Sequence, residues 1–158
     1  MTGPTSGERF LLGRAIVAFA VLPGTVAYLI PVLVAPARAP SSAWQWPGAI
    51  FLATGTVLLL WCVRDFYVAG KGTLAPWSPP EQLVQVGLYR WSRNPMYIAV
   101  LTVLIGWALW YGSLGLALYA VGIAGAFHLR VLFYEEPRLE TSFGQDWLRY
   151  KGRVRRWF

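Results

Sequence analysis

Residues 95–127 read PMYIAVLTVLIGWALWYGSLGLALYAVGIAGAF, thirty-three positions without a charge. A helix crosses the roughly 30 Å of bilayer hydrocarbon with about 20 apolar residues. The run is therefore too long for one crossing and too short for two with a long connection. It breaks at 110–115, WYGSLG, where two aromatics suit an interface and Gly112-Ser113 suits a tight turn. The reading is a hairpin of two antiparallel membrane helices, 95–111 and 113–135.

The rest of the chain fits that reading. Hydrophobic residues make up 56% of the 158 positions and charged ones 13%, against about 25% charged in an ordinary soluble domain. An uncharged run from Ala15 to Ala37 predicts a first span at about 12–36, kinked by Pro23 and Pro31. The apolar stretch after Arg14 is too long for a signal peptide's core, and no clean cleavage pattern follows it, so it is expected to be retained. Trp44 and Trp46 read as interfacial anchors, and Pro47 suits the first turn of a span over 47–69. The polar, Pro- and Gly-rich connection that follows holds one helix start, Ser78-Pro79. The lone Cys62 reads as a small buried hydrophobe.

The expected fold is thus all-α: one polytopic membrane domain over 1–158, with four transmembrane helices. A C-terminal tail, 138–158, carries Leu139, Phe143, Trp147, Tyr150, Val154 and Trp157 at helical spacing, with basic residues opposite. That pattern predicts an amphipathic interfacial helix on anionic lipid. Four spans put both termini on one side, and nearly every loop cation falls there, Arg38 excepted. The positive-inside rule makes that side cytoplasmic. Only Lys71 and Lys151 are lysines among 14 basic residues, which points to a GC-rich bacterial source and an inner-membrane location. The net charge of +7 suits lipid headgroups. No soluble surface is left for nucleic acid, and no metal is expected.

The hairpin also serves as a ruler, since both helices rise about 1.5 Å per residue. Tyr97 falls level with His128, Arg93 with Leu132, and Tyr89 with Glu136. The segment YRWSRNPMY, 89–97, therefore meets HLRVLFYEE, 128–136. Arg90, Arg93, Asn94, His128, Arg130, Glu135 and Glu136 gather at the cytoplasmic mouth. His128 and Glu135, seven apart, are expected on one helix face, and Arg130 and Tyr134 on another. Charges at membrane depth are costly and mark functional sites. A ligand for this set is a zwitterion with a flat ring and a soft cation, as S-adenosylmethionine is. An arginine forks its carboxylate, a glutamate takes its ammonium or ribose hydroxyls, and aromatic faces hold the rest. The plain alternative is a set of ion pairs that only neutralises a helix end, with His128 an interfacial histidine.

Gly87-Leu88-Tyr89-Arg90-Trp91-Ser92-Arg93-Asn94-Pro95-Met96-Tyr97 resembles the G-x-Y-x-x-x-R-H/N-P-x-Y signature of the isoprenylcysteine carboxyl methyltransferases. Arg130, Glu135-Glu136, Phe143-Gly144, Trp147, Tyr150 and Val154 resemble that family's ending. Asn94 stands where those enzymes usually carry His, and Asn-Pro-Met-Tyr with a later Glu-Glu-Pro looks more like the related phospholipid N-methyltransferases. The resemblance covers about 70–158. It implies a membrane-embedded S-adenosylmethionine site lined by Tyr89, Arg93, Asn94, Tyr97, His128, Arg130, Glu135 and Glu136, with Arg93, His128 and Glu135 the catalytic members. Gly70-Lys71-Gly72 is similar to a cofactor-binding glycine motif of the phospholipid enzymes, or else marks a flexible helix end.

The expected reaction is in-line methyl transfer to a lipidic or prenylcysteine-like acceptor arriving from the bilayer. An ionised carboxylate or thiolate needs no base, whereas a lipid amine needs His128 or a glutamate to take a proton. Two rivals come from other classes: an NADPH-dependent membrane reductase of the sterol-reductase type, and a non-catalytic lipid-binding scaffold.

Overall fold

A computed structural model describes residues 20–35, 43–69 and 82–158. Among these residues the architecture is all-helical. Helix α1 opens as a π-helix over Ala20–Leu29 and continues as Ile30–Val34. Helix α2 is Gln45–Ala69, α3 is Pro95–Tyr111 and α4 is Leu114–Arg130. A π-helical turn, Val131–Glu135, joins α4 to α5, Glu136–Arg153. Two stretches are long and apolar enough to cross a membrane, Gln45–Phe66 and one that begins at Leu114 and runs on toward Arg153. Shorter apolar helices occupy Pro23–Val34 and Pro95–Tyr111. The expected helix start at Ser78-Pro79, the Gly70-Lys71-Gly72 motif and the part of the first span before residue 20 lie outside the described residues.

The turn at 110–115 forms as the sequence implies. Gly112 takes the left-handed conformation at φ 56° that ends α3. Ser113 caps α4, its side chain accepting from the Leu116 N–H at 3.4 Å.

The kink expected in α1 is expressed as π-helix instead. Proline has no N–H to give and its ring crowds the preceding turn, and Pro23 lies within the wider π-helix. Pro31 deprives Ala27 of an α-helical donor and Val26 of a π-helical one. Neighbouring helices satisfy both carbonyls: Trp107 Nε1 donates to Ala27 O at 2.9 Å, and Tyr119 Oη to Val26 O at 3.1 Å. Two potential orphans thus become ties from α1 to α3 and α4.

Helices α2 and α3 pack with their backbones close. A Cβ on Gly55 would lie 2.7 Å from Val103 N, and one on Gly106 would lie 2.7 Å from Leu52 N. Lipid tails are as apolar as side chains, so close van der Waals fit of small residues drives helix pairing in a bilayer. Ala27, Leu59, Ala99, Val100, Val103, Leu104 and Ala120 form the core around this contact. Gly55→Leu is expected to force α2 off α3 and cost about 1–3 kcal/mol, the range for overpacked cores. A lower melting temperature and a broadened size-exclusion peak would report it.

The tail departs from a simple surface helix. Gly144 adopts φ 48°, ψ −120°, which breaks α5 in the middle. The second half turns back, so Trp147 and Tyr150 are buried within the protein. The centre of the apolar stripe therefore packs on the chain's own core, while Arg149, Arg153 and Arg155 stay exposed.

Candidate functional site

The signature segment begins at Gly87, whose φ of +54° opens a short 3₁₀ turn, Gly87–Arg90. A side chain there would collide with Oδ2 of the buried Asp65, an oxygen with no hydrogen-bond partner. Gly87→Ala is thus expected to combine this clash with the roughly 1–2 kcal/mol cost of a left-handed L-residue. It should lower the melting temperature and loosen the segment that carries Arg93.

Tyr89 is buried, but its ring turns away from the charged residues. It packs edge-on to Phe66 at 5.4 Å, beside Cys62 and Val84, and burial pushes its hydroxyl pKa well up. Its carbonyl accepts from Tyr150 Oη at 2.7 Å, which docks α5 onto the segment. Arg90 is exposed and stands outside the cluster. Asn94 ends the segment and Pro95 opens α3, so the chain becomes helix at the proline.

Two charged groups form where the segment, α3 and the α4–α5 junction meet. In the first, Arg93 Nη1 stands 2.9 Å from Glu136 Oε1, both side chains about nine-tenths buried. Arg156 forks the same carboxylate, with Nε to Oε1 at 2.7 Å and Nη2 to Oε2 at 3.0 Å. Lys151 Nζ lies 3.9 Å from Oε2. Burial lowers the Arg93 pKa against the opposing pull of Glu136, while the bond to Glu136 raises that of Arg156. The Arg93 guanidinium also lies over the Trp147 ring, 5.5 Å from its centre. In the second group, Tyr97 Oη donates to Glu135 Oε1, and Arg130 Nε donates to the same oxygen at 2.8 Å. Tyr97 stacks on Phe127 with centroids 4.2 Å apart.

The π turn Val131–Glu135 explains which residues meet. Pro137 has no N–H for the carbonyl four residues back, and the helix widens just before it. The extra residue in the turn brings Arg130 and Glu135 together at a spacing of five. It also parts His128 from Glu135, which regular helix would have kept on one face. His128 Nδ1 instead accepts from Trp157 Nε1 at 3.3 Å. An indole N–H only donates, so Nδ1 is unprotonated and the ring's remaining hydrogen sits on Nε2. Arg130 and Tyr134 do share a face, the guanidinium 5.3 Å from the ring centre.

Arg156 and Trp157 sit among these residues, although the sequence pattern reads them as part of a basic, lipid-facing tail. Their clue in the sequence is Gly144, which allows the tail to fold back.

Three buried donors near this point have no hydrogen-bond partner: Arg93 Nε, Arg93 Nη1 and Trp147 Nε1. The 2.9 Å approach of Arg93 to Glu136 is thus an ion pair without hydrogen-bond geometry. Unmade bonds of buried donors are costly, about 1–3 kcal/mol each. An acceptor such as a carboxylate suits them, so these donors fit the anionic end of a ligand.

A helical membrane protein with buried charges gathered at one end of its helices is the class that fold and site define. Comparison with known proteins narrows it. The family model for phospholipid methyltransferases matches residues 44–146, about two thirds of the chain. The chain belongs to the phospholipid methyltransferase family, a family of membrane methyltransferases. It is also 36% identical over 66 residues to an uncharacterized protein of Haemophilus influenzae, covering 39% of this chain and 98% of that one. No solved structure matches the chain.

Proposed function

We propose that the protein is an S-adenosylmethionine-dependent methyltransferase that crosses the membrane four times. Both termini lie on the cytoplasmic side, and the cofactor site is at the cytoplasmic mouth. The observation that supports this most is the pairing of Arg93 with Glu136, next to Tyr97 and Arg130 on Glu135. These residues come from separate segments of a chain in a methyltransferase family.

When bound, S-adenosylmethionine supplies an electrophilic methyl group on its sulfonium. Arg93 would hold its carboxylate through donors that now lack partners. Glu135, oriented by Tyr97 and Arg130, would take its ammonium or ribose hydroxyls. The stacked Tyr97 and Phe127 rings offer faces for the adenine or the sulfonium. The protein's contribution is mainly to hold both partners at reacting distance. Asn94, whose Nδ2 donates to Arg156 O at 2.9 Å, shapes the wall of the site instead of reaching the ligand.

The acceptor is a lipid that enters sideways from the bilayer. An amine headgroup must lose a proton to become a nucleophile. Glu135 would be the base for that step through Oε2, since Tyr97 and Arg130 both bond its Oε1, whereas guanidiniums hold both oxygens of Glu136 and His128 Nδ1 holds the Trp157 indole. A prenylated carboxylate would need no base.

The test supplies methyl-tritiated S-adenosylmethionine to the purified protein in two kinds of vesicle. One contains ethanolamine phospholipid, and the other a prenylcysteine analogue. Label in the phospholipid extract is the expected result. Label in neither extract would contradict the proposal.

A further inference from the structure

The last five residues, 154–158, run across the site and are fastened to it almost wholly by polar contacts. Arg155 O accepts from the Arg93 N–H at 2.9 Å, within a parallel bridge between Ser92 and Arg155. Arg156 O accepts twice, from Ser92 Oγ at 3.2 Å and Asn94 Nδ2 at 2.9 Å. The Arg156 guanidinium forks Glu136, and Trp157 Nε1 reaches His128 Nδ1. One short strap therefore holds the signature segment, the start of α5 and the end of α4.

Apolar burial behind these contacts is partial: Phe158 is 83% exposed and Arg155 is exposed, while Val154, Arg156 and Trp157 are partly buried. Neutral hydrogen bonds net only about 0.5–1.5 kcal/mol each and those to charged groups about 1.5–3, so the Arg156 fork is the strongest of the strap's fastenings. Every hook lands on a residue of the site or beside it.

We infer that this strap is the closing wall of the cofactor site, and that Arg156 is the positioning residue that latches it. Docked, Arg156 fixes the Glu136 carboxylate in the place where it supports Arg93. Its carbonyl holds Asn94, and the neighbouring Trp157 fixes the tautomer of His128. Released, the strap frees all three. Ligand affinity and strap docking must then be linked, each strengthening the other by the same factor. The inference rests on the cofactor reading above, and its test separates the two.

The chain has a single histidine, so its imidazole nitrogens can be followed by ¹⁵N NMR without assignment. In the wild-type protein Nδ1 should show the shift of an unprotonated, hydrogen-bonded nitrogen. In Arg156→Gln the strap detaches, and both nitrogens should move toward averaged tautomer values. Calorimetry on the same samples should show S-adenosylmethionine affinity reduced about tenfold or more in Arg156→Gln. Arg156→Lys, which keeps the charge but loses the fork, should fall between. Binding as tight in Arg156→Gln as in wild type, or unchanged imidazole shifts, would overturn the inference while leaving the cofactor reading intact. A wild-type protein that binds no cofactor would instead sink the cofactor reading, and the latch would be judged on the imidazole shifts.

Discussion

Arg93→Ala is expected to weaken S-adenosylmethionine binding by about a hundredfold or more. The side chain is about nine-tenths buried, and two of its three nitrogens lack hydrogen-bond partners. An anionic ligand group there would gain charge-assisted bonds, and removing one partner of such a pair costs about 2–5 kcal/mol. Each 1.4 kcal/mol is a tenfold change in affinity. The fold should survive the change, because Glu136 keeps the Arg156 fork and nearby Lys151. Calorimetry and size exclusion on the same sample separate the two effects. Arg93→Lys should recover little, since a lysine offers a point charge in place of a planar fork.

Glu136→Gln should act on stability first. Its carboxylate faces Arg93 at 2.9 Å, Arg156 at 2.7 Å and Lys151 at 3.9 Å. Neutralising it leaves Arg93 and Arg156 close together with no counter-charge, the former deeply buried, while Lys151 keeps Glu140 at 3.8 Å. Breaking a buried ion pair in this way costs about 3–5 kcal/mol. A large fall in melting temperature is expected, with loss of cofactor binding. A double-mutant cycle sharpens the point. Glu136→Gln with Arg156→Gln removes one of the stranded cations, so the pair should cost less than the sum of the single changes. Simple additivity would show that Arg156 and Glu136 are not coupled.

Much of this arrangement can be read from the sequence, and the exceptions have local causes. The uncharged run 95–127 and its Gly-Ser break place α3, the turn and the start of α4 within a residue or so, while the expected end at 135 falls at the close of the π turn that follows α4. The depth ruler brings Tyr97 to the level of His128, and Tyr97 stacks on the neighbouring Phe127. The ruler assumes regular helix, so it loses register at Val131–Glu135. There the π turn carries Glu135 round to Tyr97 and leaves His128 to Trp157. Pro137 is the residue that signals this change, because it starves the turn before it of a donor. Tyr89 looks like a site residue within its motif, yet its ring serves to hold the motif against α2. The tail's helical stripe is legible, but what it packs on depends on Gly144 leaving the helical conformation. Periodicity alone cannot foretell that reversal, and it places Arg156 and Trp157 on the lipid surface.

The central claim is that the meeting of 89–97 with 128–136 forms a cofactor site. Its most direct test is calorimetric titration of the purified wild-type protein in detergent with S-adenosylmethionine. Saturable binding of one equivalent is expected, with a dissociation constant below roughly 1 mM, the upper end of usual substrate affinities. It should be lost in Arg93→Ala while that variant stays monodisperse. A folded wild-type protein that shows no binding at about that concentration, or an Arg93→Ala variant that binds as well as wild type, would contradict the account.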